Sequence, residues 1–286
     1  MRVDIGGGTR LFFDVVGSAL EPTDAELLGR PTLLLLHGGP GGDHTSFRPY
    51  FDRFADTHQV IYLDHRGQGR SDGHDDPANW NLDTWADDVV ALCAALDVER
   101  PVVLGNSFGG FVAMRYAARH PGHASALVLS STQARRFGDI SAAWFERLGG
   151  PEARRCYEAI FVDGTAPSEV WLEYFARCMP LYNTTTSPFG PTRTQWNLEV
   201  LDHFTVREFG SMDLRGDVAQ ITCPTLVLVG RQDPMTPLEA SEELASLLPG
   251  GLGRLEVFDD CGHGSFRDQP ALTEQVLREF LAAVGT

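Results

Sequence analysis

The sequence predicts an α/β fold, in which helices flank a mostly parallel sheet and a helical segment interrupts it. Apolar runs such as residues 32–36 (TLLLL) lack polar alternation, which is typical of strands that helices cover on both faces. Stretches with helical spacing, such as residues 84–96 (TWADDVVALCAAL), lie between these runs. After Ser131 the strand pattern stops and returns only near Pro224, so we expect the sheet to be interrupted there.

The predicted core elements follow in chain order. Residues 1–17 carry three consecutive glycines between two short apolar stretches, which favours a hairpin that leads into the sheet. Buried strands are predicted at residues 32–36, 60–63, 102–104, 126–129, 224–229 and 255–258. Helices are predicted between the early strands at residues 84–96 and 111–119. A His-Pro-Gly sequence follows the second helix, and proline and glycine often follow a helix C-terminus.

The segment between the two parts of the sheet is rich in aromatic residues and helix formers. Its helices are predicted at residues 141–148, 152–161, 168–179 and 194–204. With 286 residues and 43% hydrophobic content, the chain can form one substantial core around such an insertion. We therefore expect a core built from residues 1–132 and 213–286, and a helical cap built from residues 133–212.

The charge balance and the N-terminus argue against several classes of protein. The chain has 23 Lys and Arg residues and 39 Asp and Glu residues, and the net charge of −16 argues against a nucleic-acid-binding surface. The first residues lack a basic segment followed by an apolar one, and no apolar run approaches the length of a membrane span. We expect a cytoplasmic protein that binds a small molecule or short peptide, with no nucleic-acid or membrane partner.

Metal and disulfide chemistry are not expected either. The five cysteines are odd in number, widely spaced and without a CxxC pair, so neither a disulfide framework nor a zinc cluster is indicated. The histidines show no HxxxH or similar spacing. The sequence therefore predicts reduced cysteines, no metal site and no cofactor.

The strongest local signal is LGNSFGG at residues 104–110, a G-x-S-x-G pattern between a buried strand and a helix. This context is typical of a nucleophile elbow, a strained turn that exposes a serine side chain. The residues two before and two after the serine must be small, and Gly105 and Gly109 meet that requirement. Ser107 is therefore the predicted nucleophile. The alternative is a glycine-rich turn with an incidental serine.

Serine is a weak nucleophile at neutral pH and needs a base, which an acid orients in turn. Asp233 and His263 each lie on a loop after a predicted strand, and the chain order Ser, Asp, His is the one found with this elbow. We expect Asp233 to orient His263, and His263 to act as base while Ser107 forms an acyl-enzyme. Taken singly, Asp233 fits an Asp-Pro surface turn and His263 is one of nine histidines.

A tetrahedral intermediate needs hydrogen-bond donors for its oxyanion, normally the N–H after the nucleophile and one from an early loop. Phe108 supplies the first, and Gly39 in the sequence LHGGPGG is expected to supply the second. A phosphate-binding loop is the competing interpretation, but its lysine and Ser/Thr are absent. His37 in the same sequence is predicted to be structural. The later loop DHRGQGRS is predicted to be architectural as well, with Asp64 paired to Arg66.

Together, HGGPGG, DHRGQGRS, GNSFGG, GRQDP and CGHGSF, in that order over almost the whole chain, resemble the proline iminopeptidase branch of the α/β-hydrolase superfamily. The resemblance implies a mostly parallel eight-stranded sheet with an α-helical cap, and release of an N-terminal residue, often proline, from short peptides or amides. It also implies that carboxylates of the cap and its border bind the free amino group of the substrate. Glu199 is the candidate for the cap carboxylate. Relatives of this kind can carry a glutamate just after the triad aspartate, where this chain has Pro234.

Other functions are compatible with the same sequence. Asn106 before the nucleophile resembles the elbow of carbon–carbon bond hydrolases that cleave ring-fission products, and a small ester is a close alternative to the amide substrate. A ligand-binding protein on a hydrolase scaffold is the alternative from another class, because fold does not fix function. The aromatic residues expected to contact the substrate are Trp196, Trp144 and Tyr174.

Overall fold

The computed structural model describes residues 1–24, 26–164, 168–186 and 193–285. The β-strands are β1 (Arg2–Asp4), β2 (Arg10–Val16), β3 (Leu20–Pro22), β4 (Leu27–Gly29), β5 (Thr32–Leu36), β6 (Gln59–Leu63), β7 (Val102–Asn106), β8 (Ala126–Ser130), β9 (Thr225–Gly230) and β10 (Gly253–Phe258). The α-helices are α1 (Leu82–Ala95), α2 (Phe108–Arg119), α3 (Gly138–Phe161), α4 (Ser168–Arg177), α5 (Leu198–Phe204), α6 (Arg215–Val218), α7 (Leu238–Leu247), α8 (Ser265–Asp268) and α9 (Pro270–Val284).

The prediction of a mostly parallel sheet is confirmed. Eight strands follow the order β1-β2-β6-β5-β7-β8-β9-β10, and the strands from β5 to β10 pair in parallel. Strands β1 and β2 form the predicted hairpin across the three glycines, and β2 pairs antiparallel with β6. Because the carboxyl ends of parallel strands meet at one edge, the loops after β5, β7, β9 and β10 lie at the same edge of the sheet.

The core covers both faces of the sheet, which explains the apolar runs in the strands. In β5, Leu34 and Leu36 pack in one cluster with residues of α1 and α2. Leu33 and Leu35 pack on the opposite face with residues of α9 and of the 3-10 segment Tyr50–Asp56. Each of these leucines is at most 1% exposed, and burying a leucine side chain contributes about 1.5–3 kcal/mol. The core thus fixes the strand ends from which the loops emerge.

Helices α3, α4 and α5 lie between β8 and β9, within residues 133–212, here called the insertion. Helix α3 breaks at Gly150 (φ 77°), just before Pro151, so the two helices predicted at residues 141–148 and 152–161 are the halves of one kinked element. The assignment of the insertion to a separate cap domain stays a prediction. Its buried side chains belong to the same apolar cluster as those of α1 and α2.

The helix predicted at residues 194–204 begins later than expected. It is α5, and it begins at Leu198 because Asn197 is extended (φ −102°, ψ 98°). The Oδ1 atom of Asn197 accepts hydrogen bonds from the backbone N–H groups two and three residues further on, at 3.1 and 3.4 Å. Asparagine is a strong helix N-cap, so the extended segment before it stays outside the helix. A π-helical turn, Thr205–Phe209, follows α5 directly.

The antiparallel ribbon of β3 and β4 has no counterpart among the predicted elements. It lies outside the main sheet, and its residues Leu20, Leu27 and Leu28 are exposed, so burial does not mark it in the sequence. All five cysteines are buried, and each is a free thiol. In the described ranges, no helix combines the length and the apolar character that crossing a bilayer requires.

Candidate active site

Ser107 lies in the turn between β7 and α2. Its backbone has φ 54° and ψ −117°, a conformation that costs a residue other than glycine on the order of 1–3 kcal/mol. The turn closes because Gly105 and Gly109 carry no side chains. A Cβ on Gly105 would collide with the carbonyl oxygen of Gly109, and one on Gly109 with that of Leu36. The strand, turn and helix of a nucleophile elbow are therefore present.

His263 and Asp233 are in direct contact. Asp233 follows β9 and His263 follows β10, and His263 Nδ1 lies 2.8 Å from Asp233 Oδ2 and 3.0 Å from Oδ1. A carboxylate only accepts hydrogen bonds, so Nδ1 carries the proton and Nε2 is left as an acceptor. The backbone N–H of His263 donates to the carbonyl oxygen of Tyr182 at 2.6 Å. The insertion, to which Tyr182 belongs, thus helps to hold the loop after β10 that carries His263, called the histidine loop below.

The turn after Asp233 holds its carboxylate. Oδ1 accepts from the backbone N–H groups of Met235 at 2.8 Å and Thr236 at 2.9 Å, and Oδ2 accepts from the hydroxyl of Thr236 at 2.8 Å. Hydrogen bonds to a buried charged group contribute about 1.5–3 kcal/mol. The orientation of Asp233 is therefore set by its own turn. Thr236 was missed by sequence reasoning, although a threonine close after a turn aspartate is a recognisable signal.

Ser107 and His263 line the same cavity. In the described part of the chain no hydrogen bond joins Ser107 Oγ to the imidazole, and the hydrogen bonds of His263 are those to Asp233, Thr236 and Tyr182. Catalytic hydrogen bonds are often long or poorly aligned before substrate binds. The structure thus brings the three predicted residues to one edge of the sheet, with the contact between acid and base already formed.

The glycine-rich loop after β5 packs against the serine turn. A Cβ on Gly38 would lie 3.0 Å from Asn106 Nδ2 and 3.1 Å from Ser107 Cβ, so a side chain there would press its neighbours apart by a few tenths of an ångström. Gly39 follows with φ 63°, and it lines the cavity together with Ser107 and Phe108. Phe108 is the first residue of α2, and a helix N-terminus carries partial positive charge. Both residues predicted to bind an oxyanion therefore lie at one cavity.

A buried polar cluster supports this loop. Asp64 Oδ1 lies 2.6 Å from His44 Nδ1, and Oδ2 accepts from the backbone N–H of Arg70 at 2.9 Å. Burial alone would raise the pKa of Asp64, but the hydrogen bond with His44, together with the electrostatic effects of His37 and His44, lowers it to about 2. The predicted pair of Asp64 and Arg66 is wrong. The guanidinium of Arg66 instead donates to Asp88 on α1.

His37 and His65 are neighbouring buried histidines with different surroundings. His37 Nδ1 donates to the carbonyl oxygen of Gly38 at 3.1 Å, and Nε2 accepts from the backbone N–H of His65 at 3.2 Å. Burial lowers the pKa of His37, so the neutral ring holds the loop, in agreement with the structural role expected for it. Neither ring nitrogen of His65 has a hydrogen-bond partner among the described residues, and burial lowers its pKa well below the usual 6.5.

The cavity at Ser107 has a volume of about 610 Å³. Helix α2 and the insertion supply its aromatic lining, which includes Phe111, Phe161, Trp171, Tyr174, Phe204 and Phe209. Its polar lining comes from the loop after β5, from the insertion and from α8, and includes Thr45, Asn183, Thr184, Thr185, Arg193 and Arg267. Such a cavity suits a ligand of the size of a small organic molecule.

Two of the four predicted substrate residues lie at this cavity. Tyr174 and Trp196 line it, whereas Glu199 and Trp144 are not among the described residues around it. Glu199 is exposed in the first turn of α5 and lines a neighbouring cavity of about 420 Å³, which shares Trp196 as a wall. The central guanidinium carbon of Arg147 lies over the ring of Trp144, 4.9 Å from the ring centroid. The N-cap of α5 at Asn197 explains the outward position of Glu199, because the register of the helix depends on this cap.

Few of the described residues at the cavity are charged. Asp43 lines it, but Asp43 Oδ2 already binds the guanidinium of Arg70 at 3.0 Å and the backbone N–H of Gln195 at 3.1 Å. Arg193 and Arg267 also line the cavity, and sequence reasoning missed these residues because no motif marks them. Within the described residues, no group of three or more His, Cys, Asp or Glu side chains is placed to hold a metal ion.

Eight strands in this order, with helices on both faces and a serine elbow after β7, define an α/β protein with the architecture of a hydrolase. The family follows from the sequence itself. A profile of the alpha/beta hydrolase fold matches residues 31–270, and the chain belongs to this family. The fold that the motifs implied is thereby confirmed, and the chain is a hydrolase.

Relatives with different activities are similar to the chain to the same degree. The 2-hydroxymuconate semialdehyde hydrolase of Pseudomonas sp. (strain CF600) is 29% identical over 258 residues, which cover 87% of this chain and 86% of the relative. A proline iminopeptidase of Levilactobacillus brevis is 29% identical over 297 residues, which cover 95% and 93%. The structure of the proline iminopeptidase of Mycobacterium smegmatis superposes with a TM-score of 0.77 at 22% identity, over 99% of this chain and 98% of that one. At 22% identity, the similarity to the Mycobacterium smegmatis structure shows a shared fold and nothing more.

Proposed function

We propose that the chain hydrolyses a small ester or related acyl compound with an apolar acyl group, with Ser107 as the nucleophile. The observation that carries this proposal is the contact between His263 Nδ1 and Asp233 at a cavity that Ser107 also lines. This contact leaves Nε2 of His263 as the base that a serine hydroxyl needs. The strained turn of Ser107 and the aromatic lining of the cavity support the same reaction.

In the first half of the reaction, Ser107 Oγ bonds to the acyl carbon while its proton passes to Nε2 of His263. The oxyanion that forms accepts hydrogen bonds from the N–H groups of Phe108 and Gly39. The intermediate then collapses, His263 gives the proton to the leaving oxygen, and the acyl group stays on Ser107. In the second half, water replaces the serine hydroxyl in the same steps and releases the carboxylic acid and free Ser107.

The lining supports an apolar acyl group. The ring of Phe204 lies 6.2 Å from that of Phe111 and 6.4 Å from that of Phe209, and Phe161 lies 5.6 Å from Phe209. These rings form a continuous aromatic surface, called the aromatic wall below. Apolar surface buried against such a wall contributes about 25 cal/mol per Å². An acyl chain therefore gains binding energy there that a charged group does not.

Release of an N-terminal residue is the second candidate, and the Levilactobacillus brevis proline iminopeptidase favours it. A buried ammonium group needs a carboxylate partner. Among the described residues, the carboxylate at the cavity is that of Asp43, which already pairs with Arg70, whereas Glu199 lies outside the cavity. We therefore rank release of an N-terminal residue below ester hydrolysis as a candidate function. Carbon–carbon bond hydrolysis, which the Pseudomonas relative favours, would use the same nucleophile.

The test is a set of chromogenic substrates: p-nitrophenyl hexanoate, prolyl p-nitroanilide and N-acetylprolyl p-nitroanilide. We expect the largest kcat/KM, relative to the uncatalysed rate of each compound, for the hexanoyl ester. A fluorophosphonate probe should label the wild type and not Ser107→Ala. A preference for the free prolyl anilide over the ester and the acetylated form would support the aminopeptidase instead. Absence of both labelling and turnover would contradict Ser107 as the nucleophile.

A further inference from the structure

Among the cationic groups at the cavity, Arg267 has no partner in the described ranges of the chain. Arg267 belongs to α8, four residues after His263, and lines the cavity. Within the described part of the chain its guanidinium forms neither an ion pair nor a hydrogen bond, and its central carbon lies 4.5 Å from the ring centroid of Phe266. Arg66, which is also partly buried, is neutralised by Asp88. Arg267 therefore differs from such a structural arginine.

The carboxylate next to Arg267 is committed elsewhere. Asp268 Oδ2 accepts from the backbone N–H groups of Gly262 at 2.8 Å and Thr184 at 3.1 Å. Asp268 Oδ1 accepts from the backbone N–H of Thr185 at 3.0 Å and from its hydroxyl at 2.6 Å. These bonds join the insertion to the histidine loop. Asp268 cannot turn to neutralise Arg267 without breaking them.

The guanidinium lies close to the histidine loop. Its Nη1 is 3.0 Å from the position that a Cβ would take on Gly264, the residue after His263. Burial lowers the pKa of Arg267 to about 10, so the side chain stays charged at neutral pH. A charge withdrawn from water without a counterion is costly, and the cost is recovered when a ligand brings the counterion.

We propose that Arg267 binds a carboxylate of the substrate, and that the substrate is an acyl compound with one apolar and one anionic part. This inference rests on the proposed function for the reaction, but its binding site stands on its own observations. The aromatic wall matches the apolar part, and the guanidinium of Arg267 matches the carboxylate. A planar guanidinium binds a carboxylate through two parallel hydrogen bonds, which also fixes its orientation.

Binding to Ser107→Ala separates this inference from catalysis. The variant is titrated calorimetrically at low ionic strength with 4-phenylbutanoate and with 4-phenylbutanamide, which share the apolar part and differ in charge. We expect the carboxylate to bind about ten- to a hundredfold more tightly, as a charge-assisted hydrogen bond predicts. Ser107→Ala/Arg267→Gln should lose that difference while its affinity for the amide stays unchanged, which also shows that it is folded. Arg267→Lys should keep part of the preference.

Two further arginine variants, each in the Ser107→Ala background, make the test specific. Arg100→Gln removes a charge at an exposed position outside the cavity and should keep the full preference. A preference that survives Arg267→Gln but disappears in Arg193→Gln would overturn the assignment, as would equal affinities for the two probes. If the carboxylate preference depends on Arg267 but the wild type hydrolyses no ester, the proposed function fails and the anion site stands. If the wild type hydrolyses the ester but Ser107→Ala binds the two probes with equal affinity, the proposed function stands and the anion site fails.

Discussion

The indole ring of Trp196 covers Gly39, with two ring carbons 3.1 and 3.3 Å from the position that a Cβ would take there. Trp196 belongs to the insertion, and Gly39 belongs to the loop proposed to bind the oxyanion. The insertion therefore forms a wall directly over the loop. Gly39 also has φ 63°, a conformation that strains any residue with a side chain.

Gly39→Ala should reduce kcat by about a hundredfold, because the methyl group meets the indole and shifts the N–H from the oxyanion. The measurement is the steady-state hydrolysis of p-nitrophenyl hexanoate. Gly39→Ala/Trp196→Ala removes the contact but keeps the backbone strain, so partial recovery in this variant would assign the loss to the indole. An unchanged kcat in folded Gly39→Ala would show that Gly39 does not bind the oxyanion.

Ser107→Ala and His263→Ala should each reduce kcat by about 10⁴ to 10⁶, and the double variant should be little worse. The two side chains act as one unit, because the base has no role once the nucleophile is gone. The kcat values of the single and double variants are measured in long steady-state assays with p-nitrophenyl hexanoate. Losses that multiply in the double variant would contradict the assignment of the pair.

Thr236→Val should reduce kcat about three- to tenfold and leave KM nearly unchanged. The hydroxyl of Thr236 donates to Asp233 Oδ2 at 2.8 Å and lies 3.3 Å from His263 Nδ1, and a net hydrogen bond contributes about 0.5–1.5 kcal/mol. Valine keeps the shape of the side chain and removes the donor. Thr236→Ser keeps the donor and should restore most of kcat. Equal rates for the valine and serine variants would rule out this positioning role.

The sequence predicts those parts of the site that local backbone geometry dictates. Ser107 is identifiable because the elbow requires Gly105 and Gly109, and this requirement is visible in the chain. His263 and Asp233 are identifiable by their order after strands whose apolar runs mark them as buried. The sheet is predictable for the same reason, since coverage on both faces leaves continuous apolar runs such as that of β5.

The insertion is less predictable, because its contacts depend on packing between elements distant in sequence. Glu199 has the right chemistry for an amine-binding residue, but the cap formed by Asn197 sets a register that leaves it exposed. Arg66 has Asp64 two residues away, yet it pairs with Asp88 on α1. Arg267 lies in no motif, and its significance depends on the hydrogen bonds that occupy Asp268.

His65 should make the fold sensitive to acid. Both of its ring nitrogens lack hydrogen-bond partners in the part of the chain that the structure describes, and burial lowers its pKa well below 6.5. Below about pH 6.5 the unfolded chain takes up a proton on His65 that the folded chain does not, so the free energy of unfolding falls as pH falls. This loss amounts to about 1.4 kcal/mol for each pH unit until the folded state is protonated as well.

His65→Leu should therefore lose about 2 kcal/mol less stability than the wild type between pH values of about 7 and 5. Leucine fills a similar volume beside the ring of Phe108, which lies 5.5 Å from that of His65, and leucine has no nitrogen to protonate. The measurement is urea unfolding at both pH values, with His74→Leu as the control at an exposed histidine. The control shows how far removal of a histidine by itself changes the pH dependence. If His65→Leu loses as much stability as the wild type, the acid sensitivity must come from other groups, of which buried His37 is the first to test because burial also lowers its pKa.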